Sequence, residues 1–343
     1  MSDPTSLLRE AMVSLEQETK RQAFVLVRPF DHILPDRLGE EIKRVHGQQI
    51  PESHAPLDVV LESDGGQADA AYKAILIFRS VTNDLRVLVP RWAKSAATLF
   101  ALGANGIAMT PALAELGPLD AQVIDPRNPA RMMSALDGYQ SVEYLRDYAL
   151  QTQNLAVRQS LARTRNRIPL GEVIERSESF AVGVISPIMS QVKPLDFGGW
   201  GRTLDIGKAY AERLLTEYGM ADSEDFDPRE TANQLVYGYP HHGFVIDLDE
   251  AKALGLNAAP MDEALHGLSC AVVDRAFACR QEVCEEGGHR MDRGYCGYAP
   301  EEDSTDEQTA DDEPLAGEEV PENGSENATD ADELRQRIIS KAT

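Results

Sequence analysis

Hydrophobic positions recur at helical spacing over residues 6–21, "SLLREAMVSLEQETKR", and predict an amphipathic helix ahead of a short β-rich run, "AFVLVRP". A second helical pattern, "PDRLGEEIKRVHG", is closed by Gly47. Continuous apolar runs then alternate with helical ones. "PLDVVLES" is a strand that runs into a glycine pair, "ADAAYKAILIFRSV" a helix, and "LRVLVP" a strand. "AATLFALGA" is a helix again and "GIAMT" a short strand. Strands separated by helices imply βαβ units and a mostly parallel sheet. From Asn128 to Arg167 the pattern predicts helix, with no glycine between Gly138 and Gly171. The segment "DFGGWGRTLDIGKAYAERLL" reads as a loop leading into a helix, because its glycine spacing does not fit a phosphate-binding loop.

Composition narrows what such a sheet serves. The chain has 343 residues, 42% of them hydrophobic, which is enough for a full core. Its formal net charge of −24 argues against a nucleic-acid partner, which requires a basic face. The acid is concentrated from Glu301 to Glu333, a stretch without Lys or Arg that predicts a disordered tail, followed by a short terminal helix in "LRQRIIS". Sequons at Asn323 and Asn327 fall in that tail. No apolar run is long enough for a spanning helix, so no integral membrane association is expected. The charged N-terminus lacks a secretory apolar core, and the four cysteines cluster near the end of the folded part. Both point to a reduced, cytoplasmic protein. The expected organisation is an N-terminal helix over 1–21, an α/β domain over 22–260, a Cys-containing helical segment over 261–299 and the tail over 300–343.

Two loops at successive strand ends carry candidate chemistry: "ESDGG", residues 62–66, and "PRWAKSAA", residues 90–97. In open parallel sheets, working groups gather beyond the carboxyl ends of the strands. Gly65 and Gly66 permit a tight turn with exposed N–H groups, and Ser95 stands where a helix begins. That layout suits a nucleophile facing an oxyanion hole. It suits equally a plain N-cap beside a plain turn.

The ordered blocks "ESDGG", "AKSAAT", "LGPLDAQ" and "HHGFVIDLDEAKALGL" resemble the serine dehydrogenase proteinase family over about residues 8–257. That family belongs with signal peptide peptidase A and the Clp protease in the crotonase-like fold. Asp64 stands where the family has proline, and Ala97 where it has glycine. The resemblance implies a crotonase-like fold and a cytoplasmic serine peptidase that acts on a peptide or protein substrate. It implies no cofactor and a homo-oligomer. Ser95 becomes the nucleophile, with oxyanion donors from Ala96 and from Gly65 or Gly66. A catalytically inactive scaffold or acyl-CoA chemistry on the same fold are the alternatives.

The base is approached by exclusion. The chain has no histidine between His54 and His241 and no lysine between Lys94 and Lys193. Lys94 precedes the serine, so its side chain is expected to point elsewhere. His241, His242, Lys193 and Lys208 remain. His242 matches the family's histidine, and an imidazole suits proton transfer at neutral pH. Asp120, in "LGPLDAQ", is the candidate to orient it. Finally, Cys279, Cys284, His289 and Cys296 carry zinc-ligand residue types at loose spacings. Against this, Cys270 and Cys279 sit on a helical pattern where buried cysteine is common.

Overall fold

The computed structural model describes residues 4–46, 55–165, 167–219 and 226–286. The acidic tail, its two sequons, the terminal helix, Gly47 and the Cys–His segment beyond residue 286 lie outside the described residues. In chain order the elements are α1 (Pro4–Thr19), β1 (Gln22–Val27), α2 (Leu34–His46), β2 (Leu57–Glu62), α3 (Ala68–Arg79), β3 (Leu85–Val89), β4 (Trp92–Ala93), α4 (Ala96–Leu102), β5 (Gly106–Met109), β6 (Glu115–Leu116), β7 (Gln122–Asp125) and β8 (Asn128–Ser134). There follow α5 (Ala135–Thr164), α6 (Leu170–Met189), α7 (Pro194–Tyr218), α8 (Pro228–Tyr237), α9 (Leu248–Ala253), β9 (Ala258–Pro260) and α10 (Glu263–Glu286).

The main sheet has the order β1-β2-β3-β5-β9 and is parallel throughout. The α/β class expected from the sequence is what is found. Its strands are apolar on both faces, as a sheet covered on both sides requires. Side-chain alternation divides them between two cores. Phe24, Leu26, Val59, Leu61, Val87, Val89, Ile107 and Met109 face a large cluster under α2, α3, α4 and α7. Val25, Val27, Val60, Leu88 and Ala108 face a smaller one made with α1 and α10. At the amino end of the sheet, Asp58 is fully buried and takes both Arg21 (2.6 Å) and Arg86 (2.6 Å). The carboxyl end is left to the loops after β2 and β3. Among the described residues, no helix is long and apolar enough to cross a membrane.

Two elements differ from expectation. Residues 128–134 are strand, not helix: β8 pairs antiparallel with β7, and helix begins only at Ala135. The turn between them is fixed by Asp125, whose Oδ1 accepts from the Arg127 N–H at 2.9 Å. Local Asx-turn chemistry thus overrides the helical pattern. Residues 196–215 contain no leading loop, since α7 starts at Pro194 and runs through the glycines. Proline at the first helical position supplies the start. Close packing on α7 is allowed by Gly138 of α5, where a Cβ would stand 2.8 Å from the Trp200 ring.

Candidate active site

The loops after β2 and β3 are zipped together by main chain. Ser63 bridges Ala93 in parallel, with Ser63 N donating to the Trp92 carbonyl (3.3 Å) and Lys94 N to the Ser63 carbonyl (2.9 Å). This brings Gly65 against Ser95 so tightly that a Cβ on Gly65 would stand 2.7 Å from the Ser95 Cβ. Gly65 also has φ +104° and Gly66 φ +140°, conformations open to glycine alone. A Cβ on Gly66 would fall 2.2 Å from the Phe30 carbonyl oxygen. Replacing Gly66 by valine therefore breaks the packing of the turn and is no clean test of its N–H.

Ser95 has φ 51° and ψ −118°, a left-handed conformation that costs a non-glycine residue energy. Its hydroxyl makes no capping bond to α4 although it holds the N-cap position. The plain N-cap reading thus has no hydrogen bond behind it. Among the described residues, no hydrogen bond engages Ser95 Oγ.

The neighbouring N–H groups divide clearly. Gly65 N donates to Ser63 Oγ at 3.1 Å and is committed. Ala97 N donates to the Lys94 carbonyl at 2.8 Å, so it too is committed. Among the described residues, no hydrogen bond engages Gly66 N or Ala96 N, and both residues line the same cavity as Ser95. Of the donors expected from the sequence, Ala96 and Gly66 are therefore the two left available.

His242 follows α8 in a loop fixed beside β6. Leu116 N donates to the Ile246 carbonyl at 2.8 Å, and Ile246 N returns the bond at 3.1 Å. Lys94, turned away from the serine, stitches this loop in place. Its ammonium meets Glu115 at 2.9 Å and donates to the carbonyls of Leu116 (3.3 Å) and Phe244 (3.5 Å).

His242 Nδ1 lies 2.7 Å from Asp120 Oδ1. Asp120 is only 1% exposed, and its Oδ2 accepts from Ser134 Oγ at 2.7 Å. The Ser134 oxygen in turn accepts from Leu136 N (3.0 Å) and Asp137 N (3.2 Å), capping α5. An ionised carboxylate only accepts, so Nδ1 carries the proton and the Nε2 lone pair is left free. The hydrogen bond and charge of Asp120 raise the His242 pKa above its usual value, opposed by burial and by Lys94. Ser134 was not legible in advance. It ends a strand that the pattern presents as helix, although a serine three residues before an acid is an N-cap signal.

Ser95, Ala96, Gly66 and His242 line one cavity of about 700 Å³, whose apolar walls include Leu99, Leu119, Met132 and Ile206. Lys193 and Lys208 lie elsewhere. Lys193 holds the N-cap position of α7 without a side-chain capping bond and lines a separate cavity of about 990 Å³ with Tyr144 and Trp200. Lys208 donates to Asn233 Oδ1 at 2.9 Å. His241 is exposed, and its Nδ1 accepts from the Gly243 N–H. Of the zinc candidates, Cys279 is buried in the smaller core; the Cys284 side chain, His289 and Cys296 lie outside the described residues. Among the described residues, no group of three or more His, Cys, Asp or Glu is placed to hold a metal ion.

No protein-family model and no curated protein matches the sequence. Solved structures do match. An alanine mutant of the membrane-bound stomatin-specific protease 1510-N aligns at 13% identity and TM-score 0.40, covering 70% of this chain and 79% of that chain. A second alanine mutant of that protease, bound to a substrate peptide, aligns at 13% identity and TM-score 0.39, covering 70% and 75%. ClpP1 from Listeria monocytogenes aligns at 12% identity and TM-score 0.35, covering 75% of this chain and 99% of that chain. Identities and TM-scores this low carry no weight on activity, and the chemical reading rests on the site's own geometry.

Proposed function

We propose that this chain is a serine peptidase of crotonase-like layout, related to the serine dehydrogenase proteinases, with Ser95 as nucleophile, His242 as base and Asp120 as its orienting partner. One observation carries the reading: a strained serine, two unbonded N–H groups and a carboxylate-held histidine share one cavity. Ser95 Oγ attacks the peptide carbonyl carbon while its proton passes to His242 Nε2. The carbonyl oxygen becomes an oxyanion between Gly66 N–H and Ala96 N–H. The C–N bond then breaks, His242 returns the proton to the leaving amine, and the acyl group remains on Ser95. Water attacks the ester by the same route and releases the acid. The bond between Ser95 and His242 forms with substrate in place, where such contacts tighten.

The two departures from the family blocks are compatible with this chemistry. Ala97 is fully buried with its N–H bonded inside the turn, and Asp64 is exposed at the rim rather than in the hole. Acyl-CoA chemistry is disfavoured because the cavity lining contains no Lys or Arg to hold phosphates. A homo-oligomer belongs to the same reading, supported by exposed Leu155, Leu170, Phe180 and Val182 on α5 and α6. The test is labelling by a neutral alkyl fluorophosphonate. Mass spectrometry should find the adduct on Ser95, and Ser95→Ala should abolish it without loss of helicity. An unlabelled wild type, or a Ser95→Ala variant labelled equally, overturns the proposal and favours an inactive scaffold.

A further inference from the structure

The cavity beside Ser95 has a charge pattern that acyl transfer does not use. Leu99, Leu119, Ile206 and Tyr210 make it apolar, and Asp64 and Asp69 are the acidic residues in its lining. Both are exposed, and among the described residues neither forms an ion pair or a side-chain hydrogen bond. The ammonium beside the serine, on Lys94, is spent on Glu115 and two carbonyls, and Lys73, one turn after Asp69 on α3, forms no ion pair with it among the described residues. Asp69 lies in the first turn of α3, where the helix dipole favours an acid. Asp64 has no such account: it precedes the glycine pair, and Gln67 holds the N-cap position of α3.

We propose that these two carboxylates set substrate class: the site takes peptides with a bulky apolar side chain in the cavity and a lysine or arginine beside it, and rejects acidic neighbours. This rests on the peptidase reading of the same cavity. A volume of about 700 Å³ accommodates a large side chain and part of its neighbours. Two like charges at its mouth, which no ion pair neutralises among the described residues, attract a positive flank and repel a negative one. Each exposed pair contributes at most about fivefold in affinity, and salt screens it over roughly 10 Å at 0.1 M.

The experiment is calorimetric titration of full-length Ser95→Ala protein with end-blocked heptapeptides that carry a central leucine flanked by lysine, glutamine or glutamate. The lysine peptide should bind about three- to tenfold more tightly than the glutamine peptide, and the glutamate peptide more weakly than either. The ranking should collapse in the Asp64→Asn/Asp69→Asn background and at high salt, and persist with the remote, exposed Glu178→Gln substitution. Absence of peptide binding overturns the proposal, as does a ranking that survives the double substitution. The peptidase reading fails separately, if wild-type protein is not phosphonylated by a neutral fluorophosphonate, because that assay contains no peptide.

Discussion

Asp120→Asn separates a working relay from an ornamental one, because the hydrogen bonds around Asp120 allow the new amide only one orientation. Ser134 Oγ accepts from two main-chain N–H groups, Leu136 and Asp137, so its lone pairs are taken and its own proton must be given away. In the wild type that proton goes to Asp120 Oδ2. An asparagine must therefore offer its carbonyl oxygen to Ser134, since its NH₂ there would meet another donor. The NH₂ is then aimed at His242 Nδ1, which must be unprotonated to accept. The neutral imidazole is forced to carry its proton on Nε2, the nitrogen that has to receive the proton of Ser95.

The wrong tautomer costs about 10⁴ in rate in the serine protease triad from which the figure comes, or about 5 kcal/mol of transition-state stabilisation. The assay is the second-order rate of fluorophosphonate labelling, with circular dichroism as a check on folding. Relaxing the constraint with Asp120→Asn/Ser134→Ala lets the amide turn over, so the double variant should label at least tenfold faster than Asp120→Asn alone. The acid limb of labelling should also fall in Asp120→Asn, since the main group raising the His242 pKa has lost its charge. Labelling of Asp120→Asn within about threefold of wild type refutes the reasoning. So does a double variant that is slower than the single one.

Lys193→Ala and Lys208→Ala should label within about twofold of wild type; a dead lysine variant beside an active His242→Ala would move the base to that lysine. Wild-type labelling should rise with pH through a His242 pKa above 6.5, since the neutral imidazole is the active form. The same raised pKa stabilises the fold fully below the unfolded value, and that contribution is lost as pH rises through the folded pKa, which denaturant midpoints across neutral pH would read. Ser95→Gly should abolish labelling yet raise stability by about 1 kcal/mol, whereas Ser95→Ala should leave stability nearly unchanged.

The parallel sheet was legible because its strands are short apolar runs between clear helical periods, and a strand covered on both faces leaves no other reading of "LDVVL" or "LRVLV". The glycine pair and Ser95 were legible as loop residues at adjoining strand ends. The pairing of Asp120 with His242 was proposed from block resemblance and could not have come from periodicity, since the partners are 122 residues apart and meet through the Leu116–Ile246 bridge. Which glycine keeps a free N–H was not legible either. It depends on Ser63 Oγ reaching Gly65 N, a contact set by the turn and not by composition. The strand before α5 was hidden for a related reason: Met132 lines the cavity and Ile124 is exposed, so neither shows the burial that a periodic reading assumes.

The backbone of Ser95 gives the strongest reason to treat this site as built for chemistry rather than packing. A conformation near φ 51° and ψ −118° costs a non-glycine residue on the order of 1–3 kcal/mol. If this position served only to start α4, a glycine would remove that cost, and a relaxed serine would cap the helix with its hydroxyl. The side chain does neither. Instead the turn lifts the hydroxyl away from the helix into a cavity where, among the described residues, Gly66 N and Ala96 N have no acceptor. The surroundings are matched to hold it there. Gly65 and Gly117 both lack the Cβ that would collide with the Lys94–Ser95 segment, at 2.7 Å in each case. Thr98 Oγ1 binds the Ala93 carbonyl at 2.7 Å and accepts from Gly117 N at 2.9 Å, locking the elbow from beneath. A strained residue held on three sides, with its hydroxyl uncommitted, makes sense if the hydroxyl meets a substrate. Ser95→Gly tests this directly: a gain in stability with loss of labelling is the signature of strain kept for function, and a loss of stability would mean that the serine side chain is there to pack.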